Sequence, residues 1–350
     1  MDQFEKILDF VKSMCGYLVS GKMECSQVPV DDIIYVIKEE YNRVSLDSNE
    51  ACESYRALMI SCINRDDRRE LAYILESIIH LCKALTAFYG VKTAGFDLQI
   101  HPYKVEVAYY RNKERNTEWK KNNKLQKEPS FKGKGAVYTA ITGGYDIVHD
   151  PVFVDENLDY YLFTDNENIK SNVFKVVKVD NVENLDPVRL ARKIKIVGNW
   201  EYLQDYDYTI WTDGKLQIIG DLNEYIVKYA KGAPLLCFNH HDRDDLYDEA
   251  QFCAARNTDS SEMIYEQTER YRTEGFPEHY GLTDTCFLIK DNKSIELKKA
   301  MMDWWNEVKN GSKRDQISFC YAFWKNNLIY DTSPLISIDN KYVRTYRHSN

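Results

Sequence analysis

From Gly135 onward the chain alternates strand-like and helix-like segments, and that alternation limits the folds open to it. Residues 136–141, 160–165 and 174–179 read as strands, rich in β-branched and aromatic side chains. Pro187 opens an amphipathic helix running to Trp200. A strand follows at 208–212, a helix at 222–230 and a strand at 234–238. Strands separated by helices pair in parallel, with helices covering both faces of the sheet. The expected class is α/β, a Rossmann-type mixed but mostly parallel sheet flanked by helices. Farther on, residues 281–289 read as a polar turn feeding a strand. Residues 295–308 read as a helix carrying Trp304 and Trp305, and a last helix runs to Lys325.

The first 95 residues have a different texture. Phe4, Ile7, Leu8, Val11, Cys15 and Leu18 fall at helical spacing. Residues 31–44 repeat the pattern after Pro29, and 49–63 give a third helix. A fourth, over 66–89, is apolar around most of its girth and is the expected centre of a helical bundle, with His80 as an interior histidine. Residues 96–134 read as a basic linker. Val105, Val107 and Tyr109 alternate, which suggests a short strand, and the cations from Arg111 to Lys134 read as a solvated helix or linker. A patch for anionic head groups or an anionic polymer is the alternative. The expected organisation is a helical accessory domain at 1–95, the linker at 96–134 and the main domain at 135–350.

The formal net charge of −9 argues against a general nucleic-acid binder, which needs a basic face. No stretch is apolar enough to span a bilayer. Met1-Asp2-Gln3 opens directly into an amphipathic helix rather than a signal peptide. The nine cysteines are scattered, with no Cys-x-x-Cys pair, and read as reduced thiols of a cytoplasmic protein.

The acid-tipped strand at 206–218 draws the other polar groups together. Asp213 follows Tyr208, Ile210 and Trp211, where open α/β sheets bind ligands. It is a candidate ligand for a divalent cation and, through it, a nucleotide diphosphate; the alternative is an Asp-Gly turn in a hairpin. Asp165 ends the second strand, placed for a ribose hydroxyl or a base N–H. Arg189 and Lys193 share a helix face, with Arg192 beside it, and would offset phosphate charge. Asn239-His240-His241-Asp242-Arg243-Asp244 follows a strand and offers a metal ligand, a general base or sugar contacts, or a charged loop. It lacks the helical His spacing of zinc hydrolases. Ser312 and Asp315 have capping-box spacing, so Asp315 either caps the last helix or, with Arg314 and Gln316, faces a sugar. His348 is a candidate to close over the cation. The Gly143-Gly144 turn is followed by no helix, so it is no dinucleotide fingerprint.

TAITGGYD (139–146), YYLFTD (160–165), DPVRLARKIKI (186–196), YTIWTDGKLQI (208–218), FNHHDRDDLYDEA (238–250), GLTDTCFLI (281–289) and the block from Trp304-Trp305 to RDQISF occur in that order. The set resembles the glycosyltransferase-like family once called domain of unknown function 616, found in bacterial surface-polysaccharide and plant cell-wall pathways. The resemblance covers residues 135–348 and implies a GT-A-like fold, a nucleotide-sugar donor and Mn²⁺ or Mg²⁺. It implies a metal contact at Asp213, where Thr212-Asp213-Gly214 carries one carboxylate in place of the usual Asp-x-Asp, with His348 or else His240 completing the shell. Thr142, Asp165, Arg189, Lys193, Lys215, His240, Arg243, Arg314 and Gln316 then form the donor-facing set. Asp315, His241 and Asp242 are the candidate catalytic groups. The implied partners are the donor and a glycan or lipid-linked glycan acceptor of a capsule or O-antigen type, with no nucleic acid. The N-terminal half is the expected contact to a membrane surface, a biosynthetic complex or a second copy. The alternatives are a metal-dependent hydrolase built on the His240–Asp244 cluster, and a non-catalytic sugar- or nucleotide-binding domain with a helical docking module.

Overall fold

The computed structural model describes residues 3–43, 47–92, 102–123, 131–198, 200–241, 243–337, 340–346 and 348. The chain forms two compact units, Met1–Tyr110 and Arg111–Asn350. The first contains helices α1 (Gln3–Val19), α2 (Val30–Arg43), α3 (Asn49–Arg65) and α4 (Arg68–Lys92). As its all-round apolar surface predicts, α4 packs against the other three, burying Leu71, Leu75, Ile78 and Leu85. The side chain of His80 lies outside the described residues.

The boundary between units falls inside α5 (Pro102–Asn123). The short strand expected over Val105, Val107 and Tyr109 is therefore helix. Buried Val105, Ala108, Asn112 and Asn116 lie at helical spacing, a stripe that alternation of apolar residues misses because half of it is polar. Within the second unit, the Asn112 and Asn116 amides both donate to the Tyr330 carbonyl at 2.9 Å, and Arg115 donates to the Tyr280 carbonyl at 2.6 Å. One face of the basic run is thus fastened to the second unit.

That unit continues through β1 (Gly135–Ile141), β2 (Leu158–Thr164), β3 (Lys175–Lys178), α6 (Pro187–Val197), α7 (Trp200–Leu203), β4 (Tyr208–Thr212) and β5 (Leu216–Ile218). Then come α8 (Leu222–Tyr229), β6 (Leu235–Asn239), α9 (Leu246–Ala255), α10 (Ser261–Thr273), β7 (Thr283–Asp291), α11 (Ile295–Asn310), α12 (Gln316–Lys325), β8 (Asp331–Ser333) and β9 (Val343–Thr345). Seven strands form one sheet in the order β3-β2-β1-β4-β7-β6-β8. β3, β2, β1 and β4 are parallel, as are β6 and β8, while β7 runs antiparallel to both its neighbours. The fold is therefore the expected α/β class with a mixed sheet. β1 is buried at every position, which is why it reads as a continuous apolar run. Tyr138, Phe163, Trp211 and Leu288 pack under α6 and α9–α12. Val137, Leu162, Ile210 and Phe287 pack under α8, β5 and β9.

Two details position the site. Because β7 is reversed, its first residues lie beside the C-terminal ends of β4 and β6. Between Cys237 and Phe238 the β6–β7 register jumps, so that Cys237 opposes Leu288 but Phe238 opposes Asp284. This bulge brings Asp284 to the end of β6. The second detail is the β5–β9 ribbon, which returns the C-terminal segment to the sheet edge. Gly220 makes it fit: a Cβ there would lie 2.4 Å from the Lys341 carbonyl oxygen. Gly220→Ala is expected to displace β9, at a cost of about 1–3 kcal/mol. Amide exchange should accelerate at Val343–Thr345 and stay unchanged in β1 and β4; unchanged exchange in β9 would contradict this fit.

Candidate functional site

The C-terminal edge of the parallel strands gathers two polar clusters. The first surrounds Asp213, just past β4. Asp186 caps α6 by accepting the Arg189 N–H at 3.1 Å, and Pro187 fills the first helical position. This start turns Arg192 and Lys195, three residues apart, toward Asp213. Lys195 is fully buried; its ammonium donates to Asp315 Oδ2 at 2.6 Å and Thr285 Oγ1 at 2.9 Å, and lies 3.5 Å from Asp213 Oδ1. Arg192 is 3.1 Å from Asp315 Oδ1 and 3.7 Å from Asp213 Oδ1. Trp211 Nε1 donates to the same Asp213 oxygen at 2.7 Å.

Burial would raise the pKa of both carboxyls. For Asp213 the charges of Lys195 and Arg192 more than offset this and hold it below the usual carboxylate range; for Asp315 Arg192 and then Lys195 do the same. All polar side-chain contacts of Asp213 run to Oδ1, leaving Oδ2 without a polar partner among the described residues. Asp315 stands at the start of α12 but makes no side-chain cap bond. Its carboxylate is drawn into the buried charge cluster, and Ser312 Oγ instead donates to Asp259 at 2.9 Å. The capping-box alternative is thereby set aside.

Around Asp213 lie groups from distant parts of the chain. A Cβ on Gly214 would be 3.4 Å from Asp146 Oδ2, so Asp146 leans against the Asp213 turn. His348 Nδ1 lies 3.0 Å from Asp146 Oδ1, with its ring 4.7 Å from that of Tyr145. The Lys215 carbonyl accepts the Tyr346 N–H, and no hydrogen bond or ion pair among the described residues reaches the Lys215 ammonium. Asp165 accepts the Gly143 N–H at 3.0 Å with both carboxylate oxygens, and Thr142 donates to the Pro187 carbonyl at 2.6 Å.

The structure directs other expected residues elsewhere. Arg189 donates to the Val308 and Gly311 carbonyls at 3.2 and 2.7 Å, closing the C-terminus of α11. Lys193 pairs with Glu183 on the surface. Arg243 donates to buried Glu249 at 2.8 Å. Asp244 pairs with Arg111 at 3.1 Å and His279 at 3.4 Å, away from His240 and His241. Asp242 lies outside the described residues.

The second cluster centres on Asp284. Its Oδ2 takes bonds from Ser337 Oγ at 2.6 Å and His241 Nδ1 at 3.0 Å, and its Oδ1 accepts from Gln316 Nε2 at 2.9 Å. Arg314 donates to Gln316 Oε1 at 3.1 Å. Burial would raise the Asp284 pKa, but the imidazoles of His240 and His241 and the bonds from His241 and Ser337 offset this and hold the carboxyl well below its ordinary range. Among the described residues, His240, His241 and Asp284 are the one group whose three ligand atoms lie within 4.8 Å of one another. The chemistry of His240 counts against a metal there. Its Nδ1 accepts the Arg243 N–H at 3.0 Å, which leaves the proton of the neutral ring on Nε2, facing Asp284. Burial lowers its pKa to about 4, so the ring stays neutral near pH 7.

Asp146, Asp284 and Lys195 are the site residues that sequence reasoning passes over. Each had a signal: Asp146 and Asp284 stand in the quoted motifs, and Lys195 lies one helical turn beyond Arg192. What links them to Asp213 is strand order, which no local pattern contains.

Over 52% of its length the chain is 25% identical to the probable hexosyltransferase MUCI70 of Arabidopsis thaliana, covering 36% of that protein. Among solved structures, the apo form of the bifunctional glycosyltransferase WbbM aligns with 86% of the chain and 57% of its own, at 10% identity and a TM-score of 0.35. The chain thus spans little more than a third of the curated relative and just over half of the solved one. Residues 92–338 match the family described as TOD1/MUCI70, glycosyltransferase-like domain, a match that begins upstream of β1 and takes in α5. By that match, across the whole seven-stranded sheet, the chain belongs to the TOD1/MUCI70 glycosyltransferase-like family.

Proposed function

We propose that the chain is a glycosyltransferase that moves a sugar from a nucleotide-sugar donor to a growing surface glycan, of a capsule or O-antigen kind, in the cytoplasm. The observation that carries this reading is the place of Asp213 at the C-terminal edge of the parallel strands, with Asp146 and its partner His348 against the turn that follows it. Asp146 supplies the second carboxylate that Thr212-Asp213-Gly214 lacks. Two carboxylates and an imidazole suit a hard or borderline divalent cation such as Mn²⁺ or Mg²⁺. Asp213, through its Oδ2, would hold it, and Asp146 and His348 would have to draw closer to Asp213 to complete the shell, since their ligand atoms and those of Asp213 do not all lie within 4.8 Å of one another. Such a cation neutralises the leaving diphosphate when bound. Lys215 presents an ammonium to the same phosphates, while Lys195 and Arg192 keep Asp213 ionised and fixed by Oδ1. The nine cysteines, all buried and free, support a reducing compartment.

A thermal-shift panel of UDP and GDP with Mn²⁺ or Mg²⁺ tests this. At 100 times its Kd a nucleotide adds about 2.7 kcal/mol to the folded state, a shift of several degrees. Asp213→Ala is expected to abolish the metal-dependent part of the shift and Asp146→Ala to reduce it. No shift with any nucleotide and metal would remove the basis for the donor assignment.

A further inference from the structure

We propose that two troughs flanking α10 form a binding site for a neutral glycan chain, separate from the Asp213 cluster. This deepens the transferase reading and rests on it for the occupant, the finished part of the glycan being extended.

The first trough runs between α9 and α10 and holds about 550 Å³; the second runs between α10 and α11 and holds about 490 Å³. Glu266 and Arg270, one helical turn apart, stand on the ridge between them and line both. The sequence of α10 sets this up. Ile264, Thr268 and Tyr271 make its buried stripe, which turns Tyr265, Glu266 and Glu269 outward.

The lining decides what the troughs accept. Among the described residues no Val, Leu, Ile or Phe lines either one, and Met263 is the one long aliphatic side chain. A lipid tail or an apolar helix therefore finds little to pack against. The carboxylates of Glu266, Glu269 and Glu307 outnumber the guanidiniums of Arg270 and Arg272, so a polyanion is repelled as much as held. A neutral, polyhydroxylated chain suits what remains. Tyr265 is half exposed, and its ring has no ring or cation partner among the described residues, so its face is open to the C–H side of a sugar. The planar end groups of Gln251, Glu266 and Asn306 have no polar partner among the described residues and suit pairs of neighbouring hydroxyls.

The floor of the second trough is already fixed. Gln267 donates to the Tyr271 hydroxyl at 2.8 Å and to the Glu307 carboxylate at 3.1 Å, and accepts the Ser312 N–H at 2.8 Å. The Tyr271 hydroxyl donates to Glu307 at 2.7 Å. A Cβ on Gly311 would lie 2.6 Å from the Gln267 amide, so only glycine lets the end of α11 close on α10. A floor ordered in advance lowers the entropy cost of binding. Gly311 also opens the loop that leads to Asp315 and its bond with Lys195, so the second trough adjoins the loop that enters the Asp213 cluster.

The test titrates the full chain by calorimetry with neutral hexasaccharides of glucose, galactose, mannose and N-acetylglucosamine, each beside its monosaccharide, and with a hyaluronan hexasaccharide as the anionic control. At least one neutral hexasaccharide is expected to bind about tenfold or more tighter than its monosaccharide, because only a chain reaches both troughs. Tyr265→Ala and Asn306→Ala should each weaken that binding about fivefold or more, and Tyr265→Phe should keep it. All three should leave the thermal midpoint and the UDP–Mn²⁺ shift unchanged. No binding of any neutral hexasaccharide, binding that Tyr265→Ala and Asn306→Ala leave unaltered, tighter binding of hyaluronan, or a dimer that Tyr265→Ala dissolves would each overturn the glycan site, while a UDP–Mn²⁺ shift in the same chain keeps the transferase reading. A chain that binds the hexasaccharide through Tyr265 but shows no nucleotide shift keeps the glycan site and loses the transferase reading.

Discussion

Lys195→Met is expected to destabilise the second unit by about 3–5 kcal/mol, the usual cost of removing one partner from a buried ion cluster. Lys195 is fully buried and contacts both Asp315 and Asp213, while Arg192 reaches the same two carboxylates from 3.1 and 3.7 Å. Two positive and two negative charges are therefore balanced inside the protein. Methionine has nearly the same shape and packs beside Trp211 and Trp304, whose rings lie about 6 Å from the ammonium, so little volume is lost. What is lost is charge: two carboxylates then share one guanidinium, and Thr285 loses a donor. Replacing Asp315 by leucine in the same chain should return more than half the loss, because an apolar pair desolvates nothing. All six tryptophans lie in the second unit, so urea unfolding followed by tryptophan fluorescence reports that unit alone. A loss below about 1 kcal/mol would mean that the cluster is hydrated like a surface pair.

The same cluster shows how much of this protein is legible in its sequence. The elements were largely readable, because Val137 and Ile210 sit in strands buried on both faces and the helices carry capping and apolar stripes. The position of Asp213 just past the end of β4 was readable too. Its neighbours were not. Arg189 and Lys193 share a face, yet the face that meets Asp213 is that of Arg192 and Lys195, because the caps of α6 set its rotation. The alternating strands predicted a parallel sheet, and only the pairing of β7 against β4 and β6 brings Asp284 to the edge. Helix faces and strand order depend on partners distant in sequence. The Asp146–His348 meeting depends on the β5–β9 ribbon, for which the tail carries no signal beyond three residues of strand.

Lys290→Met is expected to stabilise the second unit at pH 7 by about 2–3 kcal/mol, with the gain shrinking as pH rises. Lys290 is buried within β7; its ammonium donates to the Lys195 carbonyl at 2.8 Å and to the Tyr138 hydroxyl, and no carboxylate pairs with it among the described residues. Burial and the nearby charge of Lys195 lower its pKa to about 7. The unfolded chain keeps the amine near its ordinary value of about 10.4. Between those values the unfolded state binds the extra proton, so stability rises with pH across pH 7 to 10, and below pH 7 the penalty is fully present. That penalty is roughly 4 kcal/mol at pH 7 and about 1–2 kcal/mol smaller at pH 8.5. Methionine removes it but forfeits two hydrogen bonds worth about 1 kcal/mol each at most, while Tyr138 keeps its own 2.7 Å bond to the Lys195 carbonyl. The buried cysteines, whose thiols burial pushes up, act in the opposite direction above about pH 9, so the comparison belongs at pH 7 and 8.5, where the wild-type minus variant difference isolates Lys290. Urea unfolding by tryptophan fluorescence should show the gain halved at the higher pH. A variant equal to or weaker than wild type at pH 7 would mean that the amine is already satisfied by Tyr138 and the carbonyl, and that the buried lysine of β7 carries no electrostatic penalty.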